Sequence, residues 1–486
     1  FGHTLNPKAP IRLKAFTPLV LGQTTMGNFV SSAMVSTGFW CLLGACLLLV
    51  AAPYLARRYN AQPRGAGIKS KAATATAAAL FLIAPAMPSA QLDQSLQARL
   101  DAAPRGATVV VPAGVYRGPI VIRGPLAVVA EAGAVIDGGG TGSVVTIEGR
   151  DVTLRGFTIR NSGRNVTEEA AGITMSGDGH RVEANRIEDV YFGIHLVGGT
   201  GAMVRNNIIE PGERHGARPG HGISAWHLDD SEISGNRIAQ ARDGIYLSFT
   251  TRVVVAGNAV TWCRYGLHSM YSQDARFEGN EVVANLLGAA LMNSDRLVFR
   301  GNRIQRHREG PAAYGILLKD IGDLVADGNL ILSNRVGIYA EGVSSNPERE
   351  AVFTQNVVAG NDVGFALQST AALTVSGNRI AENLTDVRAL GRQLSSGMRW
   401  SRDGRGNSWG QYRGFDADHD GVGDVPYRLE DAMDALVRRN DAIQAFLYTP
   451  AHLAVETAAR MFPQFRQAPI LVDQFPLMAF TRGAAR

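Results

Sequence analysis

Cysteine is nearly absent: Cys41, Cys46 and Cys263 are the only three in 486 residues. The first two lie in one apolar N-terminal stretch, so the rest of the chain cannot close a disulfide within itself. A lone Cys263 reads as a small core filler, because no activating neighbour accompanies it. Aromatic residues are also sparse, at 7%. Runs of one charge are missing. The formal net charge is +5, yet the basic residues are scattered, with no arginine-rich arm, aromatic RNA-binding signature or zinc finger. These absences argue against a nucleic-acid partner and leave a solvated surface as the reading of the charge.

Glycine is what the chain has in excess, with 55 residues. A chain 45% hydrophobic with that much glycine has a large core interrupted by many tight turns.

The N-terminal region carries two export-like patterns. "MVSTGFWCLLGACLLLVAAP" at 34–53 is uncharged and long enough to span a bilayer, and Arg57 and Arg58 come after it. Lys69 and Lys71 then precede "AATATAAALFLIAPA", and "PAMPSA" supplies small residues for cleavage near Ala90. That is the pattern of a secretory signal peptide over 69–90. Residues 1–68 read as a membrane-anchored leader or a start-site artefact. Both readings place the residues after about 91 outside the cytoplasmic membrane.

From about 125 to 385 the chain repeats. An asparagine before x-[Ile/Val] recurs at 185, 207, 236, 258, 280, 302, 329, 356 and 378, most often 22 residues apart. A glycine register runs in step at 193, 222, 244, 266, 288, 315, 337 and 364, with Gly172 as an earlier member. Such a period marks a solenoid. The apolar pattern within each unit alternates, as in "GIYLSF" and "VVVAGNAV", which specifies short strands. Three strands and three turns fit one unit, so the expected fold is all-β, a right-handed parallel β-helix over 91–390. Its core is created by stacking coils. The asparagines and glycines are expected at left-handed turns, with the asparagine side chains hydrogen-bonded in a ladder.

The insertions mark one side. The gap from asparagine to the next glycine is 8 residues in six of eight cases, and longer after Asn207 and Asn302. With a similar excess before Gly172, three loops, about 160–171, 210–221 and 305–314, leave one corner and bring His215, His221 and His307. A different insertion, "GVSSNPERE", lies at 342–350.

In each strand that begins at a register glycine, the first and third residues after it should face inward and the second and fourth outward. The outward set includes His195, Tyr246, His268, Met270 and Met292. Met270 and Met292 fall on adjacent coils, about 4.8 Å apart, with His268 on the same face. Thioether and imidazole together suit a soft metal, above all Cu(I), and no carboxylate is expected beside them. The competing reading packs the methionines under a loop or against a partner. His195, three coils away, reads as a surface or partner-contact residue.

Beyond 390 the repeat stops. Residues 391–428 form an Asp/Gly-rich cap in which Asp416, Asp418, Asp420 and Asp424 occupy EF-hand-like positions for Ca²⁺. Tyr427 stands where the bidentate Glu belongs, which excludes a full EF-hand. Residues 429–486 read as a helical, partner-docking tail: one amphipathic helix in "EDAMDALVRRNDAIQAFLY", and another in "TPAHLAVETAARMF" with Thr449 as N-cap.

In order along the chain, "DGIYLSFT", "YGLHSMYS", "GNSWGQYRGFDADHDGVGDVPY" and "FPQFRQAPILVDQFPLM" resemble the NosD family, periplasmic maturation proteins of the nitrous oxide reductase system. The resemblance covers about 70–480 and leaves 1–68 outside. It implies a periplasmic scaffold without catalysis of its own. Its partners would be the permease and ATPase of an ABC transporter, a copper-chaperone lipoprotein and nitrous oxide reductase, whose copper–sulfur centre it helps assemble. The alternative for such a fold is a carbohydrate lyase or epimerase acting on acidic polysaccharide, which needs paired carboxylates on one strand face.

Overall fold

A computed structural model describes residues 22–26, 29–33, 96–164, 166–212, 219–343, 349–391, 393–430, 436, 440–446, 449–462 and 469–480. They fall in two units, 1–85 and 86–486. In the first, Gly22–Met26 pairs antiparallel with Phe29–Ala33. The apolar stretch at 34–53, Cys41, Cys46, the signal-like segment 69–90, His215 and most of the first tail helix lie outside the described residues. Among the described residues no helix is long and apolar enough to cross a membrane.

The second unit is a right-handed parallel β-helix. Three parallel sheets run its length. A 13-stranded sheet runs from Gly114–Arg117 to Ser408–Trp409, and a 12-stranded one from Thr108–Val111 to Leu373–Ser376. The third, the 12-stranded glycine-register sheet, runs from Ile120–Arg123 to Thr385–Leu390. A typical short strand such as Arg237–Ala239 buries only its middle residue, as a pleated ribbon with one face on a core must. Columns of β-branched residues, for example Ile238, Val260, Val282 and Ile304, are fully buried on successive coils. Their stiff χ1 suits the pleated surface.

All nine expected asparagines stack inside. Each donates its backbone N–H and its Nδ2 to the Oδ1 of the asparagine one coil on, as Asn258 does to Asn280 at 3.0 Å. The ladder runs on through Asn407 to the Asp473 carboxylate. The left-handed residue at this corner is the one before the asparagine: Gly257 has φ 61° and Gly279 φ 60°. Even the non-glycines there, Ala184, Asn206 and Gln355, have φ 53–55°. The register glycines are needed for a different reason than the expected left-handed turn. A Cβ on Gly266 would lie 2.2 Å from Val282 Cγ1 and 2.6 Å from the Gly288 carbonyl oxygen.

A second ladder, unforeseen in the sequence, joins Asn285, His307, Asn334, Asn361 and Asn383. His307 therefore does not project from an insertion loop; it fills an asparagine's place in a ladder.

Both ends are closed. The helix Leu96–Asp101 buries Leu96 and Leu100 at the first coil. Strand pairing continues past residue 390 to Ser408–Trp409. At that end Trp400 packs tilted against Trp409, and the Tyr427 ring stacks on Trp409. The tail is not helical throughout. An α-helix spans Pro450–Met461, with Thr449 at its N-cap position but no side-chain cap bond. Leu471–Asp473 then returns as a strand beside Tyr427–Leu429.

Candidate metal-handling site

The site lies on the outer side of the register sheet, where coils stack in parallel pairs. Register places Tyr246 beside His268, and Met270 beside Met292. Leu267 and Ser269 face the core with no exposed surface. His268 points away from them yet keeps only 7% of its surface, because aromatic neighbours cover it. The Tyr246 ring lies 4.8 Å from the His268 ring on one side and 4.8 Å from the His221 ring on the other. Tyr265 meets His268 edge-on at 5.1 Å. Phe192 extends the row, stacked on His221 and on His195.

The expectation that no carboxylate adjoins this cluster is wrong. Asp243, with no exposed surface, accepts a hydrogen bond from His268 Nδ1 at 2.9 Å. It also takes two from Arg264, Nε to Oδ1 at 2.8 Å and a terminal nitrogen to Oδ2 at 2.9 Å. His221 Nδ1 is 3.4 Å from the same Oδ2, without hydrogen-bond alignment. Burial alone would raise the Asp243 carboxyl. The His268 bond and the Arg264 charge oppose burial, and the carboxyl lies below the usual carboxylate range. Burial pushes His221 down to about 4, so its imidazole is neutral at pH 7.

His195 is three coils from His268, as register requires, but it is buried rather than on the surface. Its Nε2 is 3.5 Å from Glu169, which the 160–171 loop supplies. Burial lowers its pKa against the opposing pull of Glu169.

Two atoms of the His/Met set are chemically open. His268 Nε2 is buried with no hydrogen-bond partner. The Met270 thioether receives only a long contact from the Tyr246 hydroxyl, at 3.7 Å. Met270 and Met292 are partly exposed. Imidazole nitrogen and two thioethers make a soft, low-charge donor set of the kind that selects Cu(I) over hard cations. Lys319 is next in register after Met292; it ion-pairs with Glu341 at 2.9 Å and closes the set on that side.

The sequence placed Tyr246 on the outward face but did not bring Asp243 and Arg264 to the centre. Asp243 immediately precedes a register glycine, and the column it belongs to reads His221, Asp243, Tyr265. That polar and aromatic column was the available signal.

Beyond the site, an exposed row of His227, Phe249 and Tyr271 stacks ring on ring, at 5.2 and 4.9 Å. All three have φ of 51–53°, a conformation bulky residues rarely adopt. At the cap, carboxylate oxygens of Asp416, Asp418 and Asp420 lie within 4.8 Å of one another. Asp424 is not among them; its Oδ2 accepts the Ala417 N–H at 2.7 Å.

The family model described as periplasmic copper-binding protein (NosD) matches residues 205–414, which contain the whole centre. A probable ABC transporter binding protein NosD of Pseudomonas aeruginosa is 35% identical over 418 residues, 84% of this chain and 96% of that protein. One from Stutzerimonas stutzeri is 32% identical over 383 residues, 76% of this chain and 86% of that one. Among solved structures, the adhesin PfbA of Streptococcus pneumoniae matches with a TM-score of 0.46 at 12% identity, over 61% of this chain and 86% of that one. A mannuronan C-5 epimerase A-module of Azotobacter vinelandii matches with 0.40 at 15%, over 65% and 89%. These two likenesses are of fold alone.

Proposed function

The chain belongs to the NosD family, and from that premise we propose that it is a periplasmic scaffold that receives Cu(I) as cargo on His268, Met270 and Met292. It passes the metal toward the copper–sulfur centre of nitrous oxide reductase. The copper-chaperone lipoprotein is the donor, and the permease and ATPase of an ABC transporter are the machine it works with. The observation that carries this reading is the pairing of Met270 with Met292 beside a histidine whose Nε2 has no partner. A transfer site needs donors soft enough to hold Cu(I) and exposed enough to release it. Two partly exposed methionines and one covered imidazole meet both needs.

The test is the Cu(I) stoichiometry of the periplasmic region under reducing conditions, measured by competition with a chromophoric chelator. Loss of one equivalent in the triple alanine variant of His268, Met270 and Met292 supports the site. An unchanged stoichiometry removes it. The geometry disfavours the carbohydrate-enzyme alternative at this centre, since Asp243 has no exposed surface and is clamped by Arg264, out of a sugar's reach.

Two further assignments complete the proposal. Asp416, Asp418 and Asp420, with Asp424 beside them, take a structural Ca²⁺ at the cap. The tail docks on the permease through the helix at 450–461, whose end leaves Met461 67% and Phe462 47% exposed.

A further inference from the structure

A carboxylate with no exposed surface lies beneath His268, and a buried charge is costly unless it is fully paired. Asp243 is paired three times over, by two bonds from Arg264 and one from His268. Arg264 is itself fixed over the Tyr265 ring, with its guanidinium carbon 4.2 Å from the ring centre. An ionised carboxylate only accepts hydrogen bonds. In the 2.9 Å contact His268 Nδ1 must therefore be the donor. A neutral imidazole that carries its proton on Nδ1 presents a lone pair at Nε2. That is the nitrogen the structure leaves buried and without a partner, an unmet acceptor unless something binds it. The ring cannot turn freely to relieve this, with Tyr246 against its face and Tyr265 against its edge.

We propose that Asp243, clamped by Arg264, is the positioning residue of the metal site. It locks His268 in the Nδ1–H tautomer, so that Nε2 is a ready-made ligand for a soft cation held with the thioethers of Met270 and Met292. The inference rests on the copper reading of His268, Met270 and Met292. Carboxylate partners of metal-binding histidines fix the ring and raise its basicity, and their loss typically costs 10–100-fold in metal affinity.

The experiment has two readouts on the folded periplasmic region. The first is ¹⁵N NMR of histidine-labelled protein, with His268 assigned by the signal missing from His268→Ala. The wild type should show the proton on Nδ1, and Asp243→Asn should shift it toward Nε2, because the new amide can donate to Nδ1. A wild-type His268 protonated on Nε2 overturns the inference without any variant. The second is Cu(I) affinity by chelator competition. Asp243→Asn should weaken binding on the order of 10–100-fold with the stoichiometry kept. Wild-type affinity in Asp243→Asn, while the triple alanine variant loses copper, overturns the positioning role and spares the copper reading. Retained copper in the triple variant overturns the copper reading itself. If Asp243→Asn does not fold, Arg264→Gln loosens the same clamp and should weaken Cu(I) binding in the same direction, with wild-type affinity there counting against the clamp.

Discussion

At the scale of single residues, burial decides which groups react. Cys263 is 3% exposed, and burial pushes its thiol up to about 12. It should resist alkylation in the native protein at pH 8 and label fully in denaturant, which intact-mass measurement will show. Rapid native labelling would contradict the packing. The small-core-filler reading of this cysteine was legible because nothing near it in sequence could activate it. His268 was legible as a candidate ligand for the opposite reason: alternation put it on the outward face. Its buried partner was not. Asp243 lies 25 residues earlier and reaches it only because the coils stack, so no local pattern joins the two. The same stacking turned His195 and His221 from expected surface groups into covered ones, by laying Phe192 and Tyr246 against them.

At the scale of elements, the two side-chain ladders set both stability and pH response. Replacing Asn280 by Ala strands the backbone N–H of Asn258 and one of its two Nδ2 hydrogens, the other being held by the Ile233 carbonyl. Two unsatisfied buried donors predict a loss of about 3 kcal/mol in denaturant unfolding. Gly266→Ala should cost about 2–3 kcal/mol by overpacking against Val282 and the Gly288 backbone. His307 gives the second ladder a titratable rung. Burial lowers its pKa from 6.5 to about 4, so between those values the unfolded chain binds the proton and the folded one does not. Its stabilising contribution is therefore complete above pH 6.5 and is lost as pH falls toward 4. The loss by pH 5 is about 2 kcal/mol. His307→Asn restores the residue type of the neighbouring rungs and should flatten that part of the stability profile, measured by urea unfolding at pH 5 and pH 7.5. The first ladder could be read from spacing because its asparagines recur in phase. The second was hidden, since one of its rungs is a histidine, His307, which breaks the asparagine column beside an insertion.

At the scale of the whole molecule, the His268, Met270 and Met292 face lies midway along the three stacked sheets, with both ends of the β-helix closed. Asp473 ends the asparagine ladder and accepts from Asn407 and from Trp409 Nε1, so the tail is tied to the last coil. The helix beyond that cap leaves Met461 and Phe462 in solvent. Replacing both by Ser should weaken co-purification with the transporter permease several-fold and leave the melting temperature of the periplasmic region unchanged. Calcium at the Asp416–Asp420 cluster should raise that melting temperature, by mass action on the folded state alone. The architecture was legible because a repeat period is a global signal. The return of Leu471–Asp473 as a strand was not, because three residues carry no periodicity.

Cu(I) held on this face by one imidazole and two thioethers has a distinct scattering signature. Copper-edge X-ray absorption of the protein loaded with one equivalent of Cu(I) reads it. The expected shell is two sulfur scatterers and one imidazole nitrogen, with both sulfurs lost in the Met270→Ala, Met292→Ala double variant. A shell of nitrogen and oxygen alone in the wild-type protein would contradict it.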